Sequence, residues 1–302
     1  MQLDFIEGKL KHQSQVSAQQ NAAGVIVLNV KNQAAQASIS LQAGQLLSWQ
    51  PADQAHPVIW CSSKARLEPD VTIRGGVPIC WPWFGAHPEK ADFPAHGFVR
   101  ATEWSLLDAQ EISAQETKIV LGLQSQPKFD AFCAHKFLLQ LDIRVGKQLY
   151  LALITENQSS EEWVITQALH TYFQISDLAN MQITGLDGLS YLDKVANYAK
   201  KQQQGNITSA GEEIDRIYLA SAKPVTIEDS GFSRRIRIEK AHSNTIVVWN
   251  PGTEKGPKMA DMTETGYREL VCVETLNAAE DVARLAAGAR YSLETTYSVE
   301  SI

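Results

Sequence analysis

Glu274 and His170 are the residues of this chain best suited to proton transfer. Glu274 stands in Leu270-Val-Cys-Val-Glu-Thr-Leu276, where apolar side chains occupy both faces of a predicted strand before the carboxylate appears. A carboxylate in such a strand must find partners or have its pKa pushed upward. His170 closes the segment Trp163-Val-Ile-Thr-Gln-Ala-Leu-His170 and is followed by Tyr172 and Phe173. Imidazole gives and takes protons near neutral pH. A lone histidine in a strand more often completes a core than a reaction, but beside Glu274 and His96 it gains weight as an acid or base.

A second kind of chemistry is written in Arg74-Gly-Gly-Val-Pro-Ile-Cys-Trp-Pro-Trp-Phe-Gly85 and Pro94-Ala-His-Gly-Phe-Val-Arg100. Pro78 and Pro82 lack an amide donor and restrict the residues before them, so neither a regular helix nor a regular strand fits. Two guanidinium groups, His96 and several indoles in a shaped loop suit a polar, ring-shaped, anionic ligand, because arginine offers a planar fork to phosphate and tryptophan a flat apolar face. Asp215 lies in the charged run Glu212-Glu-Ile-Asp-Arg-Ile-Tyr218, which by itself reads as a solvated face. Trp249-Asn-Pro-Gly252 reads as a polar turn closing a strand, and His12, His56, His135 and His242 as surface or packing residues. His96, His170 and Glu274 could in principle form a facial metal triad, but no two share the short spacing of one helix or strand. No cofactor is expected, and neither a phosphate-cradling glycine loop nor a Gly-x-Ser-x-Gly elbow is present.

The elements that must position these groups follow a period of two. Phe137, Leu139, Leu141, Ile143 and Val145 alternate along one face, Gly146-Lys147 supplies a two-residue turn, and Gln148–Ile154 returns as the second strand of a hairpin. Further strands are expected over 37–49, 117–123, 163–170, 235–239, 245–249, 270–274 and 291–299, and a short alanine-rich helix over 276–287. With no repeat or linker in view, the pattern predicts a single all-β domain over residues 1–302, most simply two large antiparallel sheets packed face to face.

Composition narrows the partners. The 302 residues are 44% hydrophobic and 20% charged, with a formal net charge of -7. That balance argues against nucleic acid or an acidic membrane surface as the main partner, while leaving room for a local positive field over a small phosphorylated molecule. No basic region followed by an apolar run opens the chain, and no apolar stretch approaches the roughly 20 residues of a membrane helix. Cys61, Cys80, Cys133 and Cys272 are widely spaced and read as reduced thiols. A cytoplasmic monomer is the simplest expectation.

Taken together, Arg74–Gly85, His96-Gly-Phe-Val-Arg100, Ala168-Leu-His-Thr-Tyr-Phe173, Asp215-Arg-Ile-Tyr218, Val248-Trp-Asn-Pro251 and Val271-Cys-Val-Glu274 resemble, in order, the motifs of the hexose-6-phosphate mutarotases within the wider aldose 1-epimerase group. The resemblance runs from about residue 40 to the C-terminus and leaves the first 35 or so residues unmatched. It implies a galactose mutarotase-like β-supersandwich, His170 and Glu274 as the catalytic pair, and Arg74, Arg100 and Asp215 at substrate-binding positions, with His96 lining the sugar site. Ala95 departs from relatives that carry a polar residue such as Gln there, which bears on one substrate hydrogen bond and leaves the acid–base pair intact.

Interconversion of sugar anomers requires opening a cyclic hemiacetal, with one group removing the proton of the anomeric hydroxyl and another protonating the ring oxygen. Glu274 as base and His170 as acid would serve, while Arg74 and Arg100 would hold a 6-phosphate. Three rival readings stand beside this one. A neutral-sugar epimerase would not need the arginine-rich loop, a non-catalytic sugar-phosphate sensor would not need both Glu274 and His170, and a glycosidase would need a second acid near Glu274, for which Asp215 is the candidate.

Overall fold

The computed structural model describes residues 3–302. Two eight-stranded antiparallel sheets dominate it, joined by a four-stranded sheet near the N-terminus and a two-stranded pair. One large sheet runs Met181–Thr184, Val225–Asp229, Arg234–Ala241, Arg290–Ser301, Leu149–Asn157, Phe137–Val145, Glu116–Gln124, Ser105–Ser113. The other runs Ala199–Gln202, Ser190–Asp193, Ile214–Tyr218, Thr245–Asn250, Leu270–Asn277, Gln167–Leu169, Ile79–Cys80, with Tyr172–Gln174 also paired to Leu270–Asn277.

Alternation explains why these segments become sheet. Phe137, Leu139, Leu141, Ile143 and Val145 are all buried, and Gly146 turns the chain into Leu149–Asn157. Side chains from the two large sheets share one apolar core, each fully buried large aliphatic side chain contributing roughly 1.5–3 kcal/mol. Polar atoms trapped between the layers are matched across them. Trp81 Nε1 donates to Thr155 Oγ1 at 2.9 Å, Thr275 Oγ1 to Thr295 Oγ1 at 3.2 Å, and the Thr171 and Tyr297 hydroxyls lie 2.6 Å apart. Leu270–Asn277 is buried at every position, as an apolar run on both faces demands.

Three expected elements are corrected. The segment 37–49 is two strands, Ala35–Ser40 and Gln45–Pro51, because Ala43 and Gly44 take positive φ between them. The segment 163–170 divides into Trp163–Ile165 and Gln167–Leu169, which join different sheets, since the Thr166 amide turns to the Pro82 carbonyl. No helix forms over 276–287. Leu276 and Asn277 finish a strand, Ala279 takes φ 57°, and Ala283–Leu285 pairs with Trp163–Ile165. Tertiary bonds outweigh alanine propensity here. Asn277 Nδ2 donates to the His242 carbonyl and the Tyr291 hydroxyl, and the Asp281 carboxylate accepts from the Asn244 amide. The unmatched N-terminal residues form helix Leu3–Leu10 and strands Val16–Gln20 and Ile26–Lys31, which extend the four-stranded sheet.

The loop carrying His96 is fastened to the core by backbone contact. The His96 amide donates to the Gly85 carbonyl at 2.7 Å and the Trp81 amide to the His96 carbonyl at 3.3 Å. Gly97 passes so close that an added Cβ would stand 1.8 Å from the Trp81 carbonyl oxygen, at φ 77°. Gly188 has nearly the same φ, 78°, with open space around it. Gly188→Ala should therefore lose only the conformational contribution, about 1 kcal/mol, and Gly97→Ala should lose distinctly more in urea denaturation. Equal losses would show that the Trp81 contact yields freely.

Candidate active site

Neighbouring strands of the second sheet lay a row of side chains across one face. Asp215 pairs with Trp249, Trp249 with Cys272, and Cys272 with Tyr172. Two residues further along, Ile217 pairs with Val247 and Val247 with Glu274, so the period of two places Glu274 on the same face as Cys272. His170 follows Gln167–Leu169, its amide fixed to the Pro78 carbonyl at 3.0 Å. Its ring stacks on Tyr172 at 5.0 Å and meets the edges of Trp249 and His96 at 6.1 and 5.9 Å. Above this floor lies a pocket of about 320 Å³, and all six residues singled out in the sequence, Arg74, His96, Arg100, His170, Asp215 and Glu274, line it.

His170 Nε2 stands 3.3 Å from Glu274 Oε1, with Glu274 1% exposed. Burial raises the Glu274 carboxyl well above the usual carboxylate range, with Lys194 pulling the other way. Burial, then the neighbouring His96 and Arg100, holds His170 well below the usual imidazole range. Both directions favour uncharged forms, so we read the contact as a carboxylic acid facing a neutral imidazole rather than an ion pair. The two descriptions differ only in which partner carries the single proton.

His96 is neutral for a different set of reasons. Burial and then the charges of Arg100, Lys194 and Arg74 push it down to about 3. Its Nδ1 accepts from the Gly85 amide at 3.2 Å, which leaves the ring proton on Nε2 as a donor.

The pocket cations differ in how far they are already engaged. Arg74 donates through Nε to Asp261 at 3.1 Å and through Nη1 to the Tyr172 hydroxyl at 2.9 Å. Lys194 meets Asp215 at 2.8 Å and Lys255 meets Glu213 at 2.7 Å. Arg100 donates to the Ala95 carbonyl and, among the described residues, has no carboxylate partner. Sequence reasoning missed Lys194, Asp261 and Gln45. Each stands in an unremarkable stretch, and only the sheet order brings Lys194 beside Asp215.

Ten buried side-chain polar atoms lack a partner among the described residues, and four belong to this pocket, namely Gln45 Oε1, His170 Nδ1, Asp215 Oδ1 and Glu274 Oε2. Such atoms are costly unless something supplies the missing bonds. A ligand studded with hydroxyls would supply them. Among the described residues no three His, Cys, Asp or Glu side chains are grouped as a metal site.

The architecture is that of the galactose mutarotase-like proteins. A crystal structure of one from Clostridium acetobutylicum superimposes with a TM-score of 0.74 at 13% identity, over 95% of this chain and 98% of that one. The chain belongs to the aldose 1-epimerase family, whose model matches residues 26–298. It is 37% identical over 244 residues, 81% of this chain and 80% of the other, to an Escherichia coli K12 protein named "Putative glucose-6-phosphate 1-epimerase". A crystal structure of a "putative mutarotase (YeaD)" from Salmonella typhimurium shares 32% identity and a TM-score of 0.88, covering 95% of this chain and 94% of that one.

The His96 environment has a measurable consequence. In the unfolded chain its imidazole protonates near 6.5, and in the folded protein only near 3. The unfolded state binds more protons between those values, so this residue's contribution to stability falls as pH drops through that window. His96→Gln, which cannot protonate, should lose melting temperature less steeply than the parent between pH 6.5 and 4; parallel curves would contradict the assignment.

Proposed function

We propose that this protein interconverts the α and β anomers of a hexose 6-phosphate, glucose 6-phosphate in the first place, with Glu274 and His170 as the acid–base pair. The reading is carried by the 3.3 Å contact between His170 Nε2 and Glu274 Oε1 at the floor of the pocket. The anomeric hydroxyl oxygen and the ring oxygen hang from the same carbon, so an acid and a base serving both must be adjacent.

With the sugar bound and the shared proton passed from Glu274 to His170 across their 3.3 Å contact, the Glu274 carboxylate takes the hydroxyl proton while His170 delivers one to the ring oxygen. The ring opens to an aldehyde, carbon 1 turns about its bond to carbon 2, and closure from the other face returns both protons. After opening, the carboxyl is protonated and the imidazole neutral, the distribution that burial favours. The pair is thus better matched to the opened sugar than to the closed ring, as a catalyst should be matched to the states along the barrier. Each positioned proton transfer contributes roughly 10²–10⁴-fold. This chemistry calls on no cofactor, nucleic acid or membrane.

Arg100 supports the phosphate preference, since it reaches the pocket with its charge uncompensated, in a chain of net charge -7. The name of the Escherichia coli relative supports the same substrate. Arg74 is tied to Asp261 and to Tyr172, on which His170 stacks, so it serves the shape of the site as well as its charge.

Polarimetric assays with glucose 6-phosphate and glucose test the reading directly. The parent should equilibrate the phosphosugar far faster than glucose, and equal efficiency would make it a neutral-sugar epimerase. Glu274→Gln and His170→Asn should fold and lose roughly 10²–10⁴-fold in kcat, whereas activity within a few-fold of the parent would remove the pair from the mechanism. Arg100→Ala should raise KM for the phosphosugar by roughly 10–100-fold at nearly constant kcat, the loss of a charge-assisted hydrogen bond. Arg74→Ala should lower kcat as well, and an unchanged kcat there would detach Arg74 from the His170 stack.

A further inference from the structure

We propose that Lys194 is a positioning residue whose ammonium, held in place by Asp215, sets a fixed positive charge across the pocket from Glu274 and so keeps that carboxylate usable as a base. The inference rests on the acid–base reading above. Lys194 follows strand Ser190–Asp193 at the far side of the sheet from His170. Asp215 grips it twice, its carbonyl accepting from the Lys194 amide at 2.8 Å and its carboxylate meeting Nζ at 2.8 Å. The ammonium also stands 5.9 Å from the centre of the Phe84 ring, whose backbone is fixed by the Thr166 hydroxyl at 2.8 Å. Such a clamp leaves the lysine little freedom to swing into water.

Glu274 needs a cation. Its Oε2 has no partner among the described residues, and the buried thiols of Cys80 and Cys272 and the phenols of Tyr172 and Tyr297, which feel its charge, are themselves uncharged at neutral pH. The charges that act on it are those of Lys194, Asp215 and Arg100, with Lys194 the strongest and Asp215 opposing more weakly. Lys194, Asp215 and Glu274 line one pocket, so the clamped ammonium shares that space with the carboxyl. Although burial works against the ammonium, the Asp215 carboxylate holds Lys194 firmly protonated. Arg100 is left to the substrate, and Arg74 and Lys255 are engaged by Asp261 and Glu213.

The test is the pH dependence of kcat in Lys194→Met and Lys194→Arg, with glucose 6-phosphate. Lys194→Met should lose about tenfold or more in kcat at neutral pH, its acid limb should move upward by about one pH unit, and KM should stay within a few-fold. Lys194→Arg should restore most of the rate and the position of the limb. An acid limb that stays in place in Lys194→Met overturns the proposal, as does a large rise in KM with kcat preserved, which would make Lys194 a phosphate ligand. A parent enzyme inactive on both sugars would instead defeat the acid–base reading itself. Should Lys194→Met fail to fold, the carbonyl stretch of protonated Glu274, followed by infrared difference spectroscopy in Lys194→Gln, decides the matter instead. It should persist to higher pH than in the parent, and an unchanged titration overturns the proposal.

Discussion

A carboxyl group enclosed in a strand with no exposed residue is the constraint on which the rest of this molecule turns. Glu274 sits at the centre of Leu270–Asn277, buried on both faces and bordered by strands on either side. Desolvation alone would leave it a permanently protonated acid. Everything placed around it answers that penalty. His170 offers a proton partner and Lys194 a compensating charge, while the rings of Tyr172 and Trp249 pack beside His170. Burial keeps the proton on Glu274, and the positive charge of Lys194 works against that preference.

The same economy of charge governs the pocket rim. Cations and carboxylates are interleaved, and most are neutralised in pairs before any ligand arrives. An acidic protein can thus present one usable guanidinium to an anion without surrounding it with a basic surface. Interleaving also places hydroxyl acceptors next to charged donors, an arrangement suited to a ligand that is anionic at one end and polyhydroxylated along its length.

Much of this was legible in the sequence, for identifiable reasons. Alternation revealed the 137–145 hairpin because one face is core and the other is wet. Glu274 was visible because a carboxylate inside an unbroken apolar run is anomalous whatever the fold. The loop around Arg74 was visible because prolines and glycines forbid regular structure there. Lys194 and Asp261 were not legible, since their meaning arises only when distant strands come together. Asp215 looked like part of a solvated face for the same reason: its neighbours in the chain are charged, but its neighbours in the sheet are Trp249 and Lys194. The helix expected near residue 280 failed because side-chain amide and carboxylate bonds from Asn277 and Asp281 recruit that stretch into loops, which local propensity cannot foresee.

Arg74 and Asp261, which are hydrogen-bonded at the pocket, are 187 positions apart in the chain. The other contributors run from Gln45 to Glu274, on segments that meet only when the sheet is complete. Contacts of such sequence separation carry a large loop-closure cost and form late, making all-β topologies slow to assemble. No early, locally structured species could hold the constellation, so a nascent or partly collapsed chain has no competence towards sugars. Recovery of turnover during refolding would therefore report the closing of the last long-range strand pairings, a built-in clock for the maturation of the chain.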